Sequence, residues 1–263
     1  MCTVSWTAVR DGYDLFFNRD ELNSRAAEEP PVRAECDGVA YLAPRDGEHG
    51  GTWLAVNESG LTICLLNDYG AAWRPRADQT RFSRGHLVRN CAAAANHADV
   101  IRAVHAQPLG RTSAFHLVAL SPHEGALVMD WQGTELIRHD AGTVIPPLSS
   151  SSFATREVIA ARLQRFASVI PSARTAAPDE LARYHRQHDR TAGGHSVLMC
   201  RPDAATRSIC RVTVDRSRVN LCYEAVRWNG REPIWRTPVH VTLARRMPAV
   251  VSSEISAARH SQG

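Results

Sequence analysis

Lysine is missing from this sequence: all 31 basic side chains among its 263 residues are arginines. Schiff-base chemistry, which needs a lysine amine, is thereby excluded. Together with the abundant alanine, the bias points to a GC-rich bacterial genome rather than to a function. The arginines alternate with acids instead of forming a block, the net charge is only +4, and aromatic residues make up 6%. Neither a phosphate-tracking patch nor a base-stacking platform results, so no nucleic-acid partner is expected. No apolar run approaches the ~20 residues of a membrane-spanning helix, and no basic segment followed by an apolar stretch marks a secretory leader. A cytoplasmic location without a membrane span is the expectation. The seven cysteines, at 2, 36, 64, 91, 200, 210 and 222, are odd in number and include no CxxC pair. They predict reduced, mostly buried thiols and neither a disulfide framework nor a zinc ribbon. GGTWL at 50–54 lacks the spacing of a phosphate loop and enters a strand; its Gly50 and Gly51 suit close backbone approach.

What is present reads as an ordinary soluble chain, 44% hydrophobic and 22% charged. CTVSWTAV and YDLFFN flank the turn signal RDG, which predicts a hairpin over residues 2–18. GVAYLA, GTWLAVN and LTICLLN continue as strands. The Ala-rich segment RFSRGHLVRNCAAAANHADVIRAVHAQ predicts a helix, begun at Asp78 or Ser83 and stopped by Pro108 and Gly110. AFHLVAL, GALVMDW and TELIRH return to strand. Val158, Leu163, Phe166 and Ile170 then mark a helix over 153–170, with Ser152 as its cap. PDELARYHRQH predicts a shorter helix with Pro178 in its first turn, and HSVLMC, SICRVTV, VNLCYEA and WRTPVHVTL predict closing strands. No repeat or linker interrupts 1–245, so one layered α+β domain is expected, followed by a loosely ordered tail over 246–263.

The candidate chemistry starts at Cys2. If Met1 is removed, one residue carries both a nucleophilic thiol and a free α-amine, half of a hydrolytic site. The hairpin brings Asn18, Arg19 and Asp20 beside that terminus. A guanidinium there favours thiolate, and a carboxylate can hold the α-ammonium. Asn67 ends an apolar strand at a sheet rim, where its amide can donate to an oxyanion. A surface ion pair and a turn-forming asparagine are the plainer readings of the same residues. The densest metal-type grouping, His185, His188 and His195 with Cys200, is read as an exposed polar helix, because Arg183 and Arg186 are interleaved; no metal is expected.

MCTVSW, FFNRDE, GGTWLAVNESG, LLND and SRGHLV, in this order, resemble the NRDE family, which includes the transport and Golgi organisation protein 2 group. That family is similar to the N-terminal nucleophile (Ntn) hydrolases, particularly the cysteine-type acylases that split penicillin V or bile-salt amides. The resemblance implies a four-layer αββα sandwich of two antiparallel sheets. It implies Cys2 as nucleophile after loss of Met1, its own amine as base, Arg19 and Asp20 beside it, and Asn67 as oxyanion donor. Ser150, or a neighbour in PPLSSSS, stands where the acylases carry an asparagine. Their late arginine corresponds to Arg207 or to Arg201. Neither metal nor organic cofactor is implied, and the partner is a small-molecule amide or acyl conjugate. The alternative is a non-catalytic haem- or acyl-ligand-binding protein on the same scaffold; against haem, no CxxCH occurs and the histidines are dispersed.

Overall fold

A computed structural model describes residues 1–78, 80–140, 142–173 and 175–246. The hairpin forms where the alternation and RDG place it: β1 (Cys2–Val9) and β2 (Gly12–Leu22) turn at Asp11, whose φ of 63 is a left-handed geometry that aspartate tolerates. Four strands follow, β3 (Glu29–Cys36), β4 (Val39–Arg45), β5 (Leu54–Asn57) and β6 (Thr62–Asn67). β3 is a strand beyond those the sequence predicts, and it contains Pro30 and Pro31, residues unusual inside a sheet. It is an edge strand with a register break between Glu29 and Val32, which is where prolines are tolerated.

The Ala-rich segment divides in two. α1 (Arg84–Asn90) follows Ser83, and α2 (His97–His105) starts afresh at Asn96, whose side chain accepts from the Asp99 amide. A side-chain cap outweighs the helix propensity of the alanines before it. Next come β7 (Phe115–Ser121), β8 (Gly125–Trp131), β9 (Leu136–His139) and β10 (Leu148–Ser150), then α3 (Thr155–Val169) and α4 (Pro178–His185). The cap expected at Ser152 is not made: Ala154 precedes α3 at φ 40, and Ser151 binds the Phe153 backbone. HSVLMC is not a strand either. It starts in a 3-10 turn at Gly193–His195, packs Val197 and Leu198 beneath the helices, and adds one isolated bridge, Cys200 to Ala205. The chain closes with β11 (Ala204–Val214), β12 (Arg218–Asn229), β13 (Glu232–Trp235) and β14 (Val239–Ala244). The tail expected over 246–263 lies outside the described residues except for Arg246.

One seven-stranded antiparallel sheet runs β10-β1-β2-β11-β12, with β13 and β14 both paired to β12; the other runs β3 to β9 in chain order. The sheets enclose an apolar core in which Val4, Leu15, Phe17, Leu54, Leu66 and Val118 are fully buried. α1 and α2 cover the second sheet through Leu87, Val88, Val100 and Val104. α3 and α4 cover the first through Phe166, Leu181 and Tyr184. The result is the four-layer αββα sandwich. β1 is consequently buried on both faces. Its Thr3, Ser5 and Thr7 lie under the helices, where each hydroxyl must find a partner: Ser149 Oγ at 3.0 Å, His185 Nε2 at 2.7 Å and the Ala176 carbonyl at 2.7 Å. Because the middle of the inter-sheet space is filled, a cleft can open only at its ends.

Candidate active site

Cys2 stands opposite Arg19 on one side and Ser150 on the other. Residues directly opposite in antiparallel strands share a face, so Arg19, Cys2 and Ser150 form a row at the end of the inter-sheet core. A cavity of about 300 Å³ opens over Cys2 and Arg19, and Asn67 reaches it from the facing sheet; Ser150 is not among its lining residues. The Asn67 amide currently donates to the Tyr69 hydroxyl at 2.8 Å. The Ser150 hydroxyl is buried and has no partner among the described residues.

Three carboxylates hold Arg19: Glu28 at 3.1 Å, Asp46 at 2.8 Å and Glu21 at 3.5 Å. Its guanidinium lies 4.5 Å from the centre of the Trp53 ring. Asp46 also grips Arg25 through two bonds of 3.0 Å. Burial opposes the Asp46 charge, but these arginines and the His49 amide overcome it and bring its pKa to about 2. The expected thiolate-favouring effect of Arg19 exists but loses. Burial pushes the Cys2 thiol up, the terminal amine and Arg19 pull it down, Asp20 and Glu21 push it up again, and the net direction is upward.

Asp20 and Asn18 face the helical layer, because alternation along β2 sends them opposite to Arg19. The Asp20 carboxylate accepts from Arg162 at 3.0 Å and from Thr206 at 2.7 Å, with Asp20 and Arg162 side chains wholly buried. It is the Asp20 main chain that meets the terminus: the Met1 amine donates to the Asp20 carbonyl at 3.0 Å, and the Asp20 amide returns a bond to the Met1 carbonyl. Burial disfavours that ammonium, but Cys2, Tyr69, Asp20 and Glu21 outweigh it and raise the amine's pKa. The ladder's alternation then turns the Cys2 amide toward β10 and Ser150. Asn18 donates to the carbonyls of His185 and Val197 and supports the scaffold from behind.

Arg207 sits at a bulge in β11, lines a separate cavity and comes within 3.8 Å of Glu28, the acid it shares with Arg19. Arg201 pairs with Asp203 and donates to the Met1 sulfur at 3.6 Å. The histidine grouping is dispersed in its bonding. His185 is buried between Ser5 and Asn18, and His188, beyond the end of α4, bonds the Leu198 and Arg231 carbonyls.

Two arginines escaped sequence reasoning. Arg162 looks like a solvent residue of α3, and no local signal marks it. Arg84 had one in the glycine that follows it. A Cβ at Gly51 would lie 2.6 Å from the Gly85 carbonyl carbon, and one at Gly85 3.0 Å from the Thr52 nitrogen. This contact, with Thr52 N donating to the Gly85 carbonyl at 3.1 Å, docks GGTWL onto SRGH and brings Arg84 into the cleft beside Trp53.

The sequence profile described as Transport and Golgi organisation 2 matches residues 1–192. The chain belongs to this family. No curated protein sequence matches it significantly. Solved structures with a similar fold include a Caenorhabditis elegans N-acylethanolamine-hydrolyzing acid amidase ortholog, 9% identical, covering 80% of this chain and 92% of that one at TM-score 0.53. Penicillin V acylase from Agrobacterium tumefaciens is 12% identical over 89% of this chain and 84% of its own, at TM-score 0.52. A variant of conjugated bile acid hydrolase from Clostridium perfringens is 10% identical over 94% and 98%, at TM-score 0.51. The chain thus has the Ntn-hydrolase fold, and its Cys2, Arg19 and Asn67 line one cleft.

Proposed function

We propose that this protein, after loss of Met1, hydrolyses or transfers the acyl group of a small amide through Cys2. The observation that carries the reading is the convergence of Cys2, Arg19 and Asn67 on one cavity from two facing sheets. The freed amine, with a reference pKa of about 7.7, takes the thiol proton. The thiolate then bonds to the amide carbon, and Asn67 donates to the resulting oxyanion, a contribution of about 10²–10³ in rate for such a donor. The proton passes to the leaving nitrogen as the carbon–nitrogen bond breaks. Water attacks the thioester, the carbon–sulfur bond breaks to release the acid, and the water's proton returns through the amine to the Cys2 sulfur. Arg19 anchors the wall beside the thiol, Asp20 positions the strand through Arg162, and Ser150 offers its unpartnered hydroxyl next to the freed amine. The seven unpaired cysteines accord with a cytoplasmic location, and no helix among the described residues is long and apolar enough to cross a membrane.

The test is intact-mass analysis with an electrophilic acyl probe. The mature protein is expected to lack one methionine and to be labelled at Cys2, with no label on Cys2→Ala. Met1 retained in every molecule would defeat the reading, since Cys2 would then have no free amine, and would favour a haem- or acyl-ligand-binding role for the same cleft.

A further inference from the structure

Two cations at the cleft have no counter-charge among the described residues. Arg19 and Arg25 are matched by Glu28, Asp46, Glu21 and Glu48. Arg84 and Arg81 line the same cavity, yet among the described residues neither forms an ion pair. Arg84 spends one donor on the Ala114 carbonyl at 3.0 Å, and its other donors meet no protein acceptor among those residues. The glycine contact between Gly51 and Gly85 fixes its backbone against the floor that carries Trp53. Burial holds its pKa below the ordinary arginine value, although Tyr69, Cys2 and Glu21 pull the other way. A partly desolvated cation without a counter-charge is costly, and a bound anion removes that cost.

We propose that the amide substrate carries a carboxylate which Arg84 receives, with Arg81 beside it, so that N-acyl amino acids are the substrate class; this rests on the Cys2 reading above. A carboxylate matches the planar guanidinium donors. A dianionic phosphate is disfavoured because Glu21 and Asp46 line the same cavity. At about 300 Å³ the cavity lies at the small end of ligand pockets.

The test measures equilibrium binding to Cys2→Ala protein by calorimetry, comparing N-acylglycines of short and long acyl chain with their methyl esters. The acid is expected to bind about ten- to hundredfold tighter than the ester, the worth of charge-assisted hydrogen bonds. Arg84→Gln should collapse that ratio, Arg84→Lys restore part of it, and Arg81→Gln reduce it less. Equal affinities, no binding of either ligand, or a ratio that survives in a folded Arg84→Gln protein overturns the proposal. Because Cys2→Ala cannot turn over, this outcome stands whichever way the labelling test of Cys2 falls.

Discussion

Removing the Arg162 charge tests whether the terminus is held in place by the network behind it. Arg162 and Asp20 have no side-chain exposure and meet at 3.0 Å. Arg162 also donates to Thr3 at 2.7 Å, next to Cys2. Among the described residues, Arg162→Met leaves the Asp20 carboxylate with only the Thr206 hydroxyl, an uncompensated buried charge that costs about 3–5 kcal/mol. The double variant Arg162→Met with Asp20→Asn removes both charges and should recover all but about 1–2 kcal/mol of that loss, because deleting a whole buried pair is far milder than halving it. Urea unfolding followed by circular dichroism reads the difference as a shift in midpoint at constant slope. Labelling of Cys2 should fall in the single variant and return in part in the double. A single-variant cost under about 1 kcal/mol, the size of a solvent-exposed pair, or a double variant no more stable than the single, refutes the reasoning.

Two further outcomes follow from other parts of the fold. Gly51→Ala drives a methyl to 2.6 Å from the Gly85 backbone; it should cost about 1–3 kcal/mol and shift Trp53 fluorescence, with Gly85→Ala milder, and equal losses at the two sites would contradict the contact geometry. Burial, aided by the nearby Arg162 charge, lowers the His185 pKa to about 3. The unfolded chain therefore binds this proton first, and the stability present at neutral pH is lost as pH falls from the unfolded value near 6.5. Roughly 2 kcal/mol should go between about pH 6.5 and 5, at 1.36 kcal/mol per unit. His185→Gln should flatten that slope in urea midpoints, and an unchanged slope would count against it. His116 shifts the opposite way: burial opposes its charge, but Asp130 wins and raises the pKa, so its stabilisation fades only as pH rises above this window.

The hairpin was legible because alternation and the RDG turn are local, and the pairing of Cys2 with Arg19 follows from them. The same alternation assigns Asn18 and Asp20 to the opposite face, a consequence that proximity in sequence hides. Ser150 meets Cys2 through a three-residue strand inside a proline- and serine-rich loop, which has no pattern of its own. Arg162 and Arg84 take their roles from partners far along the chain, and sequence texture presents both as ordinary helix arginines. The break between α1 and α2 shows propensity yielding to a cap.

The strand that bears Cys2 is the earliest made and among the last to be enclosed. Its far neighbour Ser150 must first be synthesised, and the Asp20 carboxylate waits for Thr206, 186 residues later. At ~5–20 residues per second of synthesis, the terminus stays open for roughly ten to forty seconds. Once the ribosome has released the chain and the sheet has closed, Met1 is 6% exposed. An aminopeptidase meets this terminus most readily during translation, and a chain refolded from denaturant with its methionine intact would present it already enclosed.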